Sequence, residues 1–91
     1  MKGKWVKCGA MPNRKFRVKR PVSVFVYRAD GEYLAVTYWL NDWGTGDSAS
    51  EAMLGLMWSL TDKLEIFEGQ RLGRYLQKIQ ARIKTYIGPA D

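Results

Sequence analysis

The sequence contains no histidine, a single cysteine and no acidic residue among its first twenty positions. The lack of histidine excludes histidine general bases, histidine-based triads and histidine metal ligands. Cys8 has no second cysteine with which to form an internal disulfide or a thiolate metal cluster, which fits a reducing compartment. These absences predict a protein that is not an enzyme and that holds no metal or other cofactor.

Long apolar runs are also missing from the sequence. The longest nearly apolar run, residues 52–60, is far shorter than the roughly 20 residues that span a bilayer. The basic N-terminus is not followed by the apolar core of a signal peptide. We therefore expect a cytoplasmic protein that does not enter a membrane.

Aromatic residues, in contrast, are abundant, with four tryptophans and five tyrosines among 91 residues. A chain of this length suits one small domain, and its 46% of hydrophobic residues is enough for a core. So many large aromatic side chains exceed what one small core hides, and aromatic residues are enriched at interfaces. The composition therefore predicts a homo-oligomer, either a dimer or a higher assembly.

Charge is distributed along the chain in three blocks. Eight Lys or Arg and no acid give residues 1–20 a net charge of +8. Two bases and eight acids give residues 21–70 a charge of −6, and residues 71–91 carry +4, for a total of +6. A basic block indicates binding to nucleic acid or to an acidic partner. Alternatively, the basic ends neutralise the acidic centre, in the same chain or in a dimer mate.

Local patterns predict an α+β fold, in which an antiparallel hairpin or three-stranded sheet is backed by one helix. Residues 22–27 and 32–39 alternate in polarity as strands do. Asp30-Gly31 between them is a strong hairpin signal, because both turn residues must take positive φ. Residues 43–46 are predicted to form a short third strand, weakened by two glycines.

A capping box opens the first predicted helix. Ser48 lies three residues before Glu51, a spacing that satisfies two free amide donors reciprocally. Apolar residues then recur at helical spacing as far as Phe67. Gly55 within this helix costs about 1 kcal/mol relative to alanine, and it would allow close packing on the sheet.

The chain divides into three predicted segments. A basic arm covers residues 1–20, the sheet-and-helix core covers 21–68, and a basic amphipathic helix occupies 69–91 after a break at Gly69. Residues 1–13 of the arm are expected either to be loosely ordered or to add to a sheet edge, whereas residues 15–20 alternate in the manner of a strand. Gly88-Pro89 is predicted to end the last helix as a C-terminal glycine with a following proline.

Two short motifs resemble those of a known family. Asp30-Gly31-Glu32-Tyr33-Leu34-Ala35 is followed by Gly44-Thr45-Gly46-Asp47-Ser48 and then by Glu51-Ala52. This ordered set resembles the HicB-like antitoxin family over about residues 22–66. The resemblance implies a partial ribonuclease H-like fold without catalytic carboxylates. It also implies a protein that binds and inhibits a small basic RNA-cleaving toxin and that assembles as a dimer or tetramer.

The acidic centre supplies candidate residues for binding such a partner. A second turn or short loop is predicted at Asn41-Asp42. Trp39, Asp42, Trp43 and Asp47 are predicted to lie close together there, as a patch suited to a basic protein. In the alternative reading, the two tryptophans cap the core and the two carboxylates only solvate the loop.

Basic residues form two candidate nucleic-acid surfaces, one on the arm and one on the last helix. The arm alternates basic and apolar residues, as a strand that lines phosphates would need. The candidates are Lys15, Arg17, Lys19 and Arg20 on the arm and Arg71, Arg74, Lys78 and Arg82 on the helix. A solvated basic face is the alternative for both surfaces. No base-reading motif is present, so any binding would be tolerant of sequence.

The apolar stripe of the last helix is predicted to form an oligomer interface, because the first helix already covers the one sheet. Its residues are Leu72, Tyr75, Leu76, Ile79, Ile83 and Tyr86. Packing within the same chain is the alternative for this stripe.

The leading hypothesis is a non-enzymatic HicB-like binding protein, an antitoxin-type inhibitor of a small basic RNA-cleaving toxin. The alternative hypothesis is a sequence-tolerant nucleic-acid-binding accessory protein that uses the basic arm and the last helix on DNA or RNA.

Overall fold

The computed structural model describes residues 2–90, which form six strands and two helices. In chain order the elements are β1 (Gly3–Cys8), β2 (Phe16–Val18), β3 (Val22–Ala29), β4 (Glu32–Thr37), β5 (Asp42–Gly46), α1 (Ala49–Phe67), α2 (Arg74–Tyr86) and β6 (Ile87–Pro89). An antiparallel sheet of order β1-β3-β4-β5 packs on α1, and β2 pairs with β6 in a separate two-stranded ribbon. The predicted α+β class is confirmed.

The β3–β4 hairpin has the predicted turn. Asp30 and Gly31 take φ values of 52° and 81°, as both central residues of a tight hairpin turn require. Ala29 pairs with Glu32, so the turn contains only these two residues. Glycine accepts positive φ at no steric cost, and aspartate tolerates it better than most residues. The hairpin is therefore set by its local sequence.

The second strand of this hairpin, β4, is shorter than predicted. β4 ends at Thr37, and residues 38–41 form a turn in which the Asn41 N–H donates to the Tyr38 carbonyl at 3.2 Å. Asn41 takes a φ of 54°, a conformation that asparagine tolerates. The turn lifts Trp39 out of the sheet and buries Leu40 in the core. The prediction that residues 32–39 form one strand is wrong at this end.

The sheet gains a fourth strand from the basic arm. β1 pairs antiparallel with β3 along its whole length, from Gly3 opposite Tyr27 to Cys8 opposite Val22. The arm had been expected to be loosely ordered or added to a sheet edge, and residues 3–8 adopt the second arrangement. Edge pairing satisfies backbone groups of β3 that would otherwise be exposed.

Helix α1 is capped by Ser48, whose Oγ accepts from the Glu51 N–H at 3.1 Å. The Glu51 carboxylate accepts from the Asp47 N–H at 2.7 Å, one residue earlier than in the usual capping box. The helix then packs tightly against β5 at Gly44. A Cβ added to Gly44 would lie 2.3 Å from the Ala52 carbonyl oxygen, so only glycine fits. Gly55 of the helix faces this same contact.

The chain after α1 turns at Gly69, whose φ is 72°, and α2 then runs from Arg74 to Tyr86. The prediction that Gly88-Pro89 forms a C-terminal helix cap is wrong. Ile87 is already extended, with φ −128° and ψ 131°, and β6 pairs with β2. The pairing draws the chain out of the helix before Gly88 could adopt a cap conformation.

One hydrophobic core is shared by residues from the arm, the sheet and both helices. Its buried side chains are Cys8, Val22, Val24, Val26, Ala35, Leu40, Ala52, Leu56, Met57, Leu60, Leu64, Ile79, Ile83 and Ile87. No helix within residues 2–90 is long and apolar enough to cross a membrane.

Candidate functional site

The face of the sheet opposite α1 carries aromatic side chains that stay exposed. Along β3, Val22, Val24 and Val26 are buried, whereas Ser23, Phe25 and Tyr27 are exposed or half-buried. Successive side chains of a strand point to opposite faces, so these two sets occupy opposite sides of the sheet. We call the side opposite α1 the uncovered face.

A row of large side chains crosses all four strands on the uncovered face. Trp5 pairs with Phe25, Phe25 with Val36, and Val36 with Trp43, one residue from each strand. We call these four residues, three of them aromatic and one (Val36) aliphatic, the aromatic row. Its end members Trp5 and Trp43 are 63% and 62% exposed, and its two central members are half-buried. The row contains no charged residue.

An open pocket of about 500 Å³ lies at one end of this face. Its lining residues are Trp5, Ser23, Thr37, Tyr38, Trp39 and Tyr86, and we call it the aromatic pocket. The Trp5 and Tyr38 rings lie 6.2 Å apart between centroids. Tyr38 and Trp39 project from the turn that ends β4, and Tyr86 comes from the last turn of α2. Four aromatic rings thus converge from three parts of the chain.

Three cations stand beside the aromatic pocket. The Lys7 ammonium donates to the Ser23 hydroxyl at 2.7 Å. The Arg82 guanidinium lies 4.2 Å from the centroid of the Trp39 ring, and the Arg20 guanidinium lies 5.5 Å from that of Tyr86. Cations stacked over aromatic faces are held by the ring quadrupole without a carboxylate. The pocket is therefore aromatic in its walls and positively charged at its rim.

The four predicted partner-binding residues do not form one patch. Asp42 is only 6% exposed and lies on the α1 side of the sheet, where its Oδ2 is 3.4 Å from the Lys63 ammonium. Its Oδ1 accepts from the Trp43 N–H at 2.8 Å. Trp43, the next residue of β5, projects to the uncovered face. Asp42 is thus a structural residue, and the prediction of a single acidic patch is wrong because strand alternation separates its members.

Of that predicted patch, three side chains remain accessible. Trp43 belongs to the aromatic row, Trp39 belongs to the aromatic pocket, and Asp47 is exposed at the start of α1. They therefore offer separate contacts to a ligand.

The predicted nucleic-acid-binding residues are almost all on the surface. Seven of the eight are exposed, namely Lys15, Arg17, Lys19, Arg20, Arg71, Arg74 and Lys78. Arg82 is half-buried because it stacks on Trp39. The β2–β6 pairing brings the arm against the end of α2, where the Lys19 ammonium donates to the Lys84 carbonyl at 3.0 Å. Two basic segments far apart in sequence thus meet on one side of the molecule.

The predicted oligomer interface requires a correction at two positions. Ile79 and Ile83 are buried in the core of the chain itself, so they are not available to a second copy. The stripe faces α1 and β6 because a helix of this length buries its apolar side wherever the same chain offers a surface. Tyr75 and Leu76 are exposed, and Leu72 and Tyr86 are half-buried. For these four residues the interface stays a prediction.

Within residues 2–90, no group of three or more His, Cys, Asp or Glu side chains could hold a metal ion. Cys8, the one cysteine, is buried in the core.

Sequence reasoning missed three of the four residues of the aromatic row. The alternation of Ser23, Phe25 and Tyr27 with buried valines was a signal that the second face of β3 carries aromatics. The alignment of Trp5 with Phe25 depends on the pairing of β1, which residue patterns did not determine.

Comparison of the chain with protein-family models, curated proteins and solved structures finds no match. Function is therefore inferred from the aromatic row, the aromatic pocket and the cations beside it.

Proposed function

We propose that this protein is a non-enzymatic, HicB-like binding protein that inhibits a small basic RNA-cleaving toxin, with the aromatic row as its contact surface. The observation that carries the proposal is the pair of exposed tryptophans, Trp5 and Trp43, at the two ends of an uncharged row. Tryptophan is enriched among residues that dominate binding energy, and interface centres are depleted in charge. A large exposed apolar row on a small domain is typical of an interaction site.

The local geometry of both family-like motifs supports the same proposal. Asp30-Gly31 forms the tight hairpin turn, and Asp47-Ser48 leads from β5 into the cap of α1. The glycines between them serve packing, because Gly44 and Gly46 lie against α1 with no space for a side chain. In this arrangement the Gly-Asp-Ser run has a structural role, and binding is left to the uncovered face.

Acidic residues suit a basic partner on the part of the uncovered face away from Lys7, the cation that lies next to Trp5 on that face. Glu32 of β4 shares the face of Val36 by strand alternation. Asp47 is exposed where β5 leads into α1. Opposite charges around an apolar contact increase the association rate and fix its register.

Co-expression with short basic reading frames from adjacent genes tests this function. We expect one of these products to arrest growth alone, and the present protein to restore growth and to co-purify with it. Trp43→Ser removes one end of the row and should abolish both effects. Trp58→Ser is the matched control, because Trp58 is also exposed but lies on α1. Absence of rescue and of a complex with every neighbour would end the proposal.

A second function, sequence-tolerant binding of nucleic acid, is favoured by the joined basic segments. Among the exposed cations of the arm, Arg17 lies on β2, the strand that pairs with β6, and Lys15 directly precedes that strand. Binding of a labelled oligonucleotide should weaken steeply with salt, because neutralised phosphates release counterions. Neutralising Lys15 and Arg17 together should reduce the salt slope by about 1 to 2. An unchanged slope would exclude the arm from the contact.

A further inference from the structure

We propose that the aromatic pocket binds a base of a single-stranded nucleic acid, while Lys7, Arg20 and Arg82 contact the phosphates on either side of that base. This inference rests on the second function proposed above and gives that function a site. Of the basic residues that the sequence suggested, the site uses only Arg20 and Arg82, and it adds Lys7.

The walls of the pocket suit a flat, apolar ring. Tyr38 is 66% exposed and Trp39 is 58% exposed, so both lining residues present ring surface to solvent, with the Arg82 guanidinium stacked on Trp39. Bases stack on such aromatic side chains regardless of their identity, because every base has a π-face. Ser23 at the floor keeps a hydroxyl that can donate or accept at a base edge. The pocket therefore has few polar groups with which to discriminate between bases.

The rim of the pocket suits phosphate. Within residues 2–90 the structure contains one ion pair, Lys63 with Asp42, so no described carboxylate pairs with Lys7, Arg20 or Arg82. Arg82 also donates to the Trp39 carbonyl at 3.4 Å, which fixes its guanidinium beside the pocket. Held guanidinium groups recognise phosphate oxygens well, because they present several donors in a rigid plane.

The surface next to the pocket favours a single-stranded nucleic acid over a free nucleotide. From Trp5, which the pocket shares with the aromatic row, the rings continue to Phe25 at 5.3 Å and then to Tyr27 at 5.9 Å between centroids. Successive bases of an unpaired strand could stack along these rings, as they do on other single-strand binding surfaces. The three cations disfavour a basic protein or a second copy of this chain at the pocket, because like charges repel.

Fluorescence anisotropy with a labelled single-stranded oligonucleotide of about eight nucleotides tests the site in the full chain. We expect Tyr38→Ala to weaken binding about tenfold, because it removes a stacking surface. Arg82→Gln should weaken binding about tenfold and lower the salt slope by about 1. Lys84→Gln is the matched control for charge, since Lys84 is an exposed cation of the same helix that does not line the aromatic pocket, and it should change affinity less than about twofold.

A second measurement, the quenching of tryptophan fluorescence, distinguishes stacking of a base from binding by charge alone. Stacking of a base should quench tryptophan fluorescence of the wild-type protein, and Trp58→Phe should leave that quenching intact because Trp58 lies on α1. Circular dichroism of each variant establishes that the fold is retained.

The possible outcomes are distinct. Full binding by Tyr38→Ala and Arg82→Gln, with loss of binding on neutralising Lys15 and Arg17, would overturn the pocket and leave the second function in place. No binding of any oligonucleotide by the wild-type protein would overturn that function itself. Binding of a nucleoside monophosphate as tight as that of the oligonucleotide would overturn the assignment to a strand. Loss of toxin binding in Tyr38→Ala without any oligonucleotide binding would assign the pocket to a protein instead.

Discussion

The two faces of the four-stranded sheet carry side chains of opposite character. The face against α1 carries small or β-branched residues, such as Val24, Ala35 and Gly44, and each is buried. The uncovered face carries Trp5, Phe25 and Trp43 at paired positions on β1, β3 and β5. The covered face is limited by the approach of the helix, which leaves no room for a Cβ at Gly44. The uncovered face is not limited in this way, because α1 lies on the other side of the sheet.

The difference separates residues that the fold needs from residues that it does not. A valine that is buried contributes roughly 1.5 to 3 kcal/mol to stability, whereas a side chain that is mostly exposed contributes little. Large aromatic residues kept in solvent are therefore best explained by a ligand that covers them. We infer that stability resides on one face of the sheet and binding on the other.

The largest effect is expected where the covered face is tightest. Gly44→Ala should lower the free energy of unfolding by about 3 kcal/mol, because the added Cβ would meet backbone atoms of α1 that cannot yield cheaply. Gly55→Ala is the control on the same contact, where a Cβ would meet the Thr45 carbonyl at 3.5 Å. It should leave stability unchanged or raise it by up to about 1 kcal/mol. Urea denaturation measures both, and equal losses would contradict the proposed tight contact.

The same truncation on each face gives a direct comparison. Val24→Ala should destabilise the protein by about 2 kcal/mol, because it leaves a cavity in the core. Val36→Ala on the uncovered face should cost less than about 1 kcal/mol, because Val36 is half-buried and solvent can fill the space. Thermal and urea unfolding of the pair measure the gap. If Val36→Ala proved as costly as Val24→Ala, the uncovered face would have to be part of the core.

The two aspartates of the predicted acidic patch should separate in the same way. Asp42→Asn should lower the free energy of unfolding by about 1 to 2 kcal/mol, because it removes the counter-charge of Lys63 in a buried setting. Asp47→Asn should change stability by less than about 0.5 kcal/mol, since Asp47 is exposed. Unfolding curves of the two variants, recorded at one salt concentration, give the two changes in the free energy of unfolding. Equal losses would indicate that Asp47 has a structural role as well.

A small effect on stability is also expected at the end of the aromatic row. Trp43→Ser removes a large side chain that is mostly exposed, and we expect the free energy of unfolding to fall by less than about 1 kcal/mol. Denaturant unfolding beside the wild-type protein measures the change. A loss of about 3 kcal/mol would show that the row is held by the fold, and its assignment to binding would then lack support.

Features that depend on neighbouring residues could be predicted from the sequence. The hairpin at Asp30-Gly31 and the cap at Ser48 are local, because each requires particular side chains within a few positions. The packing of α1 on the sheet also followed from its apolar spacing. A turn or short loop at Asn41-Asp42 was predicted, and Asn41 does take positive φ, but the alternation of residues 32–39 did not reveal that β4 ends at Thr37.

Features that depend on pairing between distant segments could not be predicted. Nothing in residues 87–89 indicates a strand, and β6 forms only because β2 is there to pair with it. The aromatic pocket likewise needs Trp5, Tyr38 and Tyr86 to meet, which no local pattern specifies. The error over Asp42 and Trp43 was avoidable, because the period of two in a strand already places neighbours on opposite faces.

The β2–β6 ribbon is expected to form late in folding, after the hairpin and α1. It joins Phe16 to Pro89, so it closes nearly the whole described chain into a loop, at a cost in chain entropy. The hairpin and α1 involve short sequence separations and can form before that closure. We expect the Lys19 amide, which donates to Tyr86, to exchange with solvent sooner than the amides of β3 and β4. Residues 15–20 of the arm would then reach their final position in a late folding step, adjustable without disturbing the sheet.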